Sequence, residues 1–211
     1  VAQAPLTGAP QFVLASSSPR RRDLLAQYGY RARIAPAAIA ESDAGWLTVR
    51  ELVLLNAGRK AAFASRANPG SVVLGADTLV SLDGQPLGKP ADHAAAAAML
   101  ARLGGREHQV YSGVCLCRRQ PRGSASFVAV TQVRFRPLSP GAIAAYLELI
   151  DPLDKAGGYA AQEHGERIIA SVSGSWSNVL GLPMEALAGV LEREFAIRPI
   201  GPVGSAGPVQ R

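Results

Sequence analysis

The sequence predicts an α/β protein with a mixed, twisted sheet and flanking helices. Strand-like and helix-like periodicities alternate along the chain. An Asp-Gly pair between two apolar runs marks a hairpin, so some neighbouring strands run antiparallel. Helical runs separate other strands, and such crossovers join parallel ones. A chain of 211 residues, 48% hydrophobic and 18% charged, is long enough to bury a sizeable core as one domain. Its 37 glycines and prolines stay below the level of low complexity, and no internal repeat is visible.

The elements follow in order. Residues 11–15, QFVLA, read as a short buried strand, then a Ser-rich turn and a helix over about 19–28. Ser18 followed by Pro19 matches a helix N-cap with proline at the first helical position. A strand over 31–35 leads into a Pro-containing loop through Glu41 and Asp43. Residues 47–67 form a long helix with Val49, Leu52, Val53 and Ala57 on one face. SVVLGADTLVSLDGQPLG is a strand, a turn at Asp83 and Gly84, and a short returning strand. An Ala-rich helix over 91–103 stops at Gly104 and Gly105. Strands at about 107–118 and 125–136 flank the turn RRQPRGS. A helix over 140–150, a Gly-rich loop over 151–161, one or two short strands near 168–172 and a helix over 183–195 complete the body. The last fourteen residues, RPIGPVGSAGPVQR, hold three Pro and three Gly and read as a loose tail.

Composition narrows the function. No stretch of 18 apolar residues exists to span a membrane as a helix. The first nineteen residues carry no Lys or Arg and no apolar core of signal length, so a cytoplasmic protein is expected. Cys115 and Cys117 lie two apart on one strand face, too close for an unstrained disulfide and without the partners of a metal site. They are expected to be plain cysteines of a reducing compartment. The formal charge is +6, from nineteen arginines against three lysines. Where arginine supplies the ordinary surface charge, a surviving lysine points to a place that wants a compact charge on a thin stem. The three are Lys60, Lys89 and Lys155.

Three constellations can carry chemistry. Ser16, Ser17, Ser18, Pro19, Arg20, Arg21 and Arg22 span a strand-to-helix junction. There free N–H groups, hydroxyls and guanidinium forks suit a phosphate; the alternative is that Ser18 only caps and the arginines only solvate the helix. Asp77, between apolar triplets in VVLGADTLV, is costly to bury unless paired or metal-bound. It is either a base or Mg²⁺ ligand at a strand's C-terminal end or a turn-forming Asp beside Thr78. Lys89 follows across the hairpin, where its ammonium can return to the same site. The loop DPLDKAGGYAAQ joins a charge pair, Asp154 and Lys155, to backbone that can approach a ligand, while Gln162 offers an amide suited to a base edge. Lys89 is followed by Pro90, which breaks the P-loop pattern. No G-x-S-x-G elbow occurs, and His93, His108 and His164 form no metal-ligand pair.

LASSSPRRRDLL, Glu41, ADTLV, GKP, HQVYSGV, TQVRFRPLS, DKAGGYAAQ and NVLGLPMEAL, in that order, resemble the Maf family of nucleoside triphosphate pyrophosphatases over about residues 11–195. The resemblance implies two lobes around a central cleft, a homodimer, a divalent cation (Mg²⁺ or Mn²⁺), and hydrolysis of a nucleoside triphosphate to the monophosphate and pyrophosphate. It implies a single two-lobed catalytic domain over 11–197, with an N-terminal extension over 1–10 and a flexible tail over 198–211. By motif, Ser16, Arg20 and Arg21 resemble phosphate-binding residues. Glu41 and Asp77 resemble the acidic metal and base positions, with Asp77 the proton acceptor, and Lys60 and Lys89 resemble the polyphosphate-holding pair. Arg20, Thr78 and Gln162 resemble the branch acting on dTTP and UTP, and on modified pyrimidine nucleotides, rather than that acting on 7-methyl-GTP. The chain departs from the family pattern at Ala40, at Leu55 and Asn56, and in AAQEHGER. Two other functions stay open from the residues. One is a pyrophosphatase for non-canonical purines. The other is a non-hydrolysing nucleotide-sensing or nucleic-acid-binding regulator, of cell division for instance; the Arg-rich segments 20–33 and 118–122 favour it, and the lack of interleaved aromatics opposes it.

Overall fold

A computed structural model describes residues 11–200 of the chain; the extension 1–10 and the tail beyond 200 lie outside the described residues. Among the described residues seven strands form one sheet: β1 (Phe12–Leu14), β2 (Arg33–Ile34), β3 (Val72–Leu82), β4 (Gln85–Leu87), β5 (Glu107–Arg118), β6 (Gly123–Phe135) and β7 (Ile169–Ser173). Their order is β2-β1-β3-β5-β6-β7, with β4 paired to β3. β1 is parallel to both β2 and β3, and every other pairing is antiparallel. This is the mixed sheet that hairpins and crossovers together require.

Six α-helices of the described residues pack on it: α1 (Pro19–Gln27), α2 (Val49–Arg66), α3 (His93–Leu103), α4 (Pro140–Leu147), α5 (Trp176–Val179) and α6 (Met184–Phe195). The helices predicted over 47–67 and 91–103 begin two residues later, at Val49 and His93, because polar caps set the boundary. Thr48 accepts from the Glu51 N–H in a reciprocal capping box, and Asp92 accepts from the Ala95 N–H at 2.7 Å. The predicted strand over 31–35 shrinks to two residues at the sheet edge, and the helix predicted over 140–150 ends at Leu147. One α-helix among the described residues escaped the sequence reading altogether. α5 is a single turn nucleated by Ser175, whose hydroxyl accepts from the Asn178 N–H, and one turn is too short for apolar periodicity.

Two large apolar cores share one face of the sheet, and a smaller one of Val13, Ala15, Ala64 and Val73 lies under α2. α1 and α6 bury Leu24, Leu25, Leu187 and Leu191 against Leu14, Leu74 and Leu116. At the other end α3 and α4 bury Leu100, Leu103, Ile143 and Tyr146 with Leu82, Val110 and Phe135. α2 covers the opposite face in unusually close contact. A Cβ on Gly75 would lie 2.2 Å from the Ala57 carbonyl oxygen, and one on Gly113 would lie 2.3 Å from that of Val53. Only glycine at these two strand positions lets the helix backbone rest directly on β3 and β5.

Candidate active site

A cleft of about 730 Å³ opens at the C-terminal end of β1. β1 crosses through α1 to β2 on one side, and the chain returns through α2 to β3 on the other. Ligands in open α/β sheets bind at such a reversal. β1 stops at Leu14, opposite Leu74, while β3 runs on to Leu82, so the next residues of β3 line the cleft. Asp77 is therefore not at a strand end, nor in a turn: it lies mid-strand, paired opposite Gly113 of β5. The strand end that matters belongs to β1. Strand alternation sends Asp77 to the α2 face and Thr78 to the face of α1 and α6. Ser16, Arg20, Arg21, Glu41, Lys60, Asp77, Thr78, Lys89 and Gln162 all line this one cleft.

On the α1 side, Ser16 Oγ accepts from the Ser18 N–H at 3.2 Å and from Arg21 Nη1 at 3.3 Å. With both bonds received, its own hydroxyl hydrogen remains to donate. Ser18 occupies the N-cap, but its side chain makes no capping bond. Pro19 has no N–H, so the first turn presents the N–H groups of Arg20 and Arg21 at its open end. Arg21 also donates through Nε to the Gly181 carbonyl at 2.9 Å and through Nη2 to Thr78 Oγ1 at 3.1 Å. Thr78 Oγ1 lies 2.8 Å from the hydroxyl of Ser112, its cross-strand neighbour. Burial lowers the Arg21 pKa, against the opposing pull of Asp77 and Glu41. Arg20 reaches across to Asp154 at 3.5 Å, whereas Arg22 turns outward to Asp23.

On the α2 side, Lys60 joins the two acids. Its Nζ lies 2.5 Å from Glu41 Oε1 and 2.8 Å from Asp77 Oδ1, with the Ala76 carbonyl at 3.4 Å. All three ammonium hydrogens thus have protein acceptors. Asn56, one turn earlier on the same helix face, donates to Asp77 Oδ2 at 3.2 Å. Burial raises the Asp77 carboxyl above the usual range despite the Lys60 charge. Burial also pushes Glu41 upward, but the hydrogen bond and charge of Lys60, helped by Lys89, outweigh it and leave Glu41 lowered.

The far wall is the segment after α4. Lys155 is buried, and its ammonium bonds the Asp151 carbonyl at 2.6 Å and Asp154 at 2.7 Å, so it staples its own loop. Lys89 is exposed at the rim, where its charge helps lower both Glu41 and Asp154. Gln162 stands exposed on this wall. Behind it the Tyr146 hydroxyl clamps Ala160, donating to its carbonyl at 2.9 Å and accepting from its N–H at 3.0 Å. Tyr159 bonds the ring of the buried His108 at 3.0 Å. Sequence reasoning missed three contributors: Asn56, Tyr146, and Gly181, whose φ of 109° suits glycine and whose carbonyl holds Arg21. Asn56 stood out in the sequence only as a departure from the family pattern, an amide on the apolar face of a helix, with no role attached to it.

The oxygen chemistry of the site fits a divalent cation. Among the described residues no group of three or more His, Cys, Asp and Glu side chains forms a complete cage. Two hard carboxylates do converge beside a phosphate-sized cleft, and Mg²⁺ is characteristically held by one or two carboxylates plus substrate phosphates. Among the described residues no helix is long and apolar enough to cross a membrane, and Cys115 and Cys117 are unpaired.

A family model described as Maf-like protein matches residues 11–194. A dTTP/UTP pyrophosphatase of Akkermansia muciniphila is 47% identical over 175 residues, covering 83% of this chain and 92% of that protein. One from Symbiobacterium thermophilum is 48% identical over 176 residues, 82% of this chain and 89% of its own. One from Anaeromyxobacter sp. (strain Fw109-5) is 46% identical over 203 residues, 95% of this chain and 96% of its own. A solved structure of the Staphylococcus aureus Ham1 protein aligns over 59% of this chain and 71% of that one, at 16% identity and a TM-score of 0.42.

Proposed function

The chain belongs to the Maf family, and from that premise we propose that it is a nucleoside triphosphate pyrophosphatase hydrolysing dTTP and UTP to the monophosphate and pyrophosphate. Its relatives at 46–48% identity bear that name. The observation that carries the reaction is the convergence of Asp77, Glu41 and Lys60 beside the open N-terminus of α1 in one cleft.

The Ser16 hydroxyl and the N–H groups of Arg20 and Arg21 bind phosphate oxygens, and Arg20 and Lys89 add charge to the polyphosphate. Arg21, with three donors already directed into the protein, holds Ser16, Thr78 and Gly181 in place around it. Asp77 takes a proton from the water that attacks the α-phosphorus, the bond to the bridging oxygen breaks, and pyrophosphate leaves. A buried carboxyl with a raised pKa is a stronger base than an exposed one. Lys60 keeps Asp77 and Glu41 charged side by side. Glu41 and Asp77 would hold the Mg²⁺ or Mn²⁺, which would neutralise charge developing on the phosphoryl oxygens. Positioning and electrostatics suffice, and no nucleophilic side chain is required.

Gln162 reads the base edge from the far wall. A panel of canonical and modified nucleoside triphosphates, assayed for pyrophosphate on the wild type and on Gln162→Glu, tests this. The wild type should favour dTTP and UTP, and the variant should lose that preference; a preference for purines would reject the assignment. Asp77→Asn should abolish turnover while nucleotide binding persists, and near-normal turnover would reject Asp77 as base. The family resemblance further implies a cytoplasmic location and a homodimer, and sedimentation of the purified protein tests the homodimer.

A further inference from the structure

We propose that Asn56 is a positioning residue that locks the Glu41 loop onto Asp77 and so sets the spacing of the two acids. This rests on the cation-dependent reaction proposed above.

Asn56 is 3% exposed on the sheet-facing side of α2. Its amide is used fully and in two directions. Oδ1 accepts from the Ser42 N–H at 2.8 Å, while Nδ2 donates both to the Ser42 carbonyl at 3.1 Å and to Asp77 Oδ2 at 3.2 Å. Ser42 follows Glu41 directly, in a stretch without regular secondary structure between β2 and α2. A loop of this kind has no ladder to fix its backbone, so a side chain that pairs with both the N–H and the carbonyl of one residue acts as its missing neighbour.

Lys60 pulls on the Glu41 carboxylate, but an ammonium on a flexible stem fixes charge more than direction. The planar amide supplies direction. It also occupies the Asp77 oxygen that Lys60 leaves, so Oδ1 and Oδ2 each have a partner on α2. The acid-bearing loop is thus secured by a polar tie from α2.

The test compares the full chain with Asn56→Leu, of similar volume, and with Asn56→Ala in case the leucine variant does not fold. Hydrogen exchange reads the Ser42 N–H. Titration with Mn²⁺ in the presence of a non-hydrolysable UTP analogue reads the acid pair without turnover. In either variant, Ser42 exchange should accelerate about 10-fold or more while β3 and β5 stay protected. The Mn²⁺ half-saturation concentration should rise about 10- to 100-fold, the usual effect of removing a partner behind a metal-binding group. Exchange at Ser42 within about twofold of the wild type would overturn the proposal. So would accelerated exchange with unchanged Mn²⁺ affinity, because the amide would then secure the loop alone. Neither measurement needs catalysis, so a wild type that releases no pyrophosphate would reject the proposed reaction without touching this tie.

Discussion

Lys60 is a buried cation of the cleft wall and Arg21 a half-buried one, yet each fits its place by shape as much as by charge. Three acceptors surround the Lys60 ammonium at 2.5, 2.8 and 3.4 Å, a tetrahedral demand that a planar guanidinium does not meet. Arg21 fans three separate nitrogens to Gly181, Ser16 and Thr78, which a single ammonium cannot span. Lys60→Arg and Arg21→Lys keep the charge and lose the geometry. A lost charged hydrogen bond is worth roughly 1.5–3 kcal/mol, so each should lower kcat/KM about 10- to 100-fold. Steady-state kinetics on UTP checks this, and near-wild-type values for both would mean that charge alone suffices. The scarcity of lysine made Lys60 visible in the sequence, and the motif order made Arg21 visible. Neither signal revealed that their donors turn inward to the protein, because hydrogen-bond partners 57 and 160 residues away from Arg21 leave no local pattern.

Among the elements, α2 delivers the most to the site. It carries Asn56 and Lys60, and its approach to β3 is set by the absence of a side chain on Gly75. Gly75→Ala would drive a methyl into the Ala57 carbonyl and the Ala61 N–H, displacing the helix and with it the lysine from Asp77. Overpacking of this kind costs about 1–3 kcal/mol, and turnover should fall with stability. Gly58→Ala is the matching control, since a Cβ there meets nothing within 4 Å. It should stabilise α2 by about 0.5–1 kcal/mol and leave activity intact. Denaturant midpoints and kcat for the two variants, measured together, check the contrast. The sequence revealed α2 through its apolar spacing, and β3 through alternation around an Asp-Gly turn. It placed the end of β3 correctly, before the turn at Asp83 and Gly84, but misjudged Asp77 as a strand-end or turn residue, because Asp disfavours strands until cross-strand pairing with β5 overrides its propensity. α5 was hidden for a different reason: a capped single turn is defined by one hydroxyl and not by a pattern.

Across the molecule, one continuous sheet carries two large apolar cores on one face and a smaller one under α2, and the cleft lies where β1 stops short of β3. The core behind the Gln162 wall contains a titratable group. His108 is packed edge-on against Phe135 and Tyr159, and burial lowers its pKa from 6.5 to about 4. Between these values the unfolded chain binds a proton that the folded one refuses, so stability rises with pH across that window and is lost as pH falls through it. The full effect is about 3 kcal/mol. Denaturant unfolding at pH 7 and pH 5 should show a larger acid loss for the wild type than for His108→Gln, and equal losses would contradict the burial of a neutral imidazole. The net charge of +6, which by itself suggests nucleic acid, resolves at the cleft into a few cations facing two acids. That arrangement suits a triphosphate with its counter-ion better than a polyanion of any length. The central claim is attack of water on the α-phosphorus, with pyrophosphate as the leaving group. Hydrolysis of UTP with Mg²⁺ in ¹⁸O-labelled water tests it most directly. The label should enter UMP, with unlabelled pyrophosphate as the only other product; label in pyrophosphate, or UDP with orthophosphate, would contradict it.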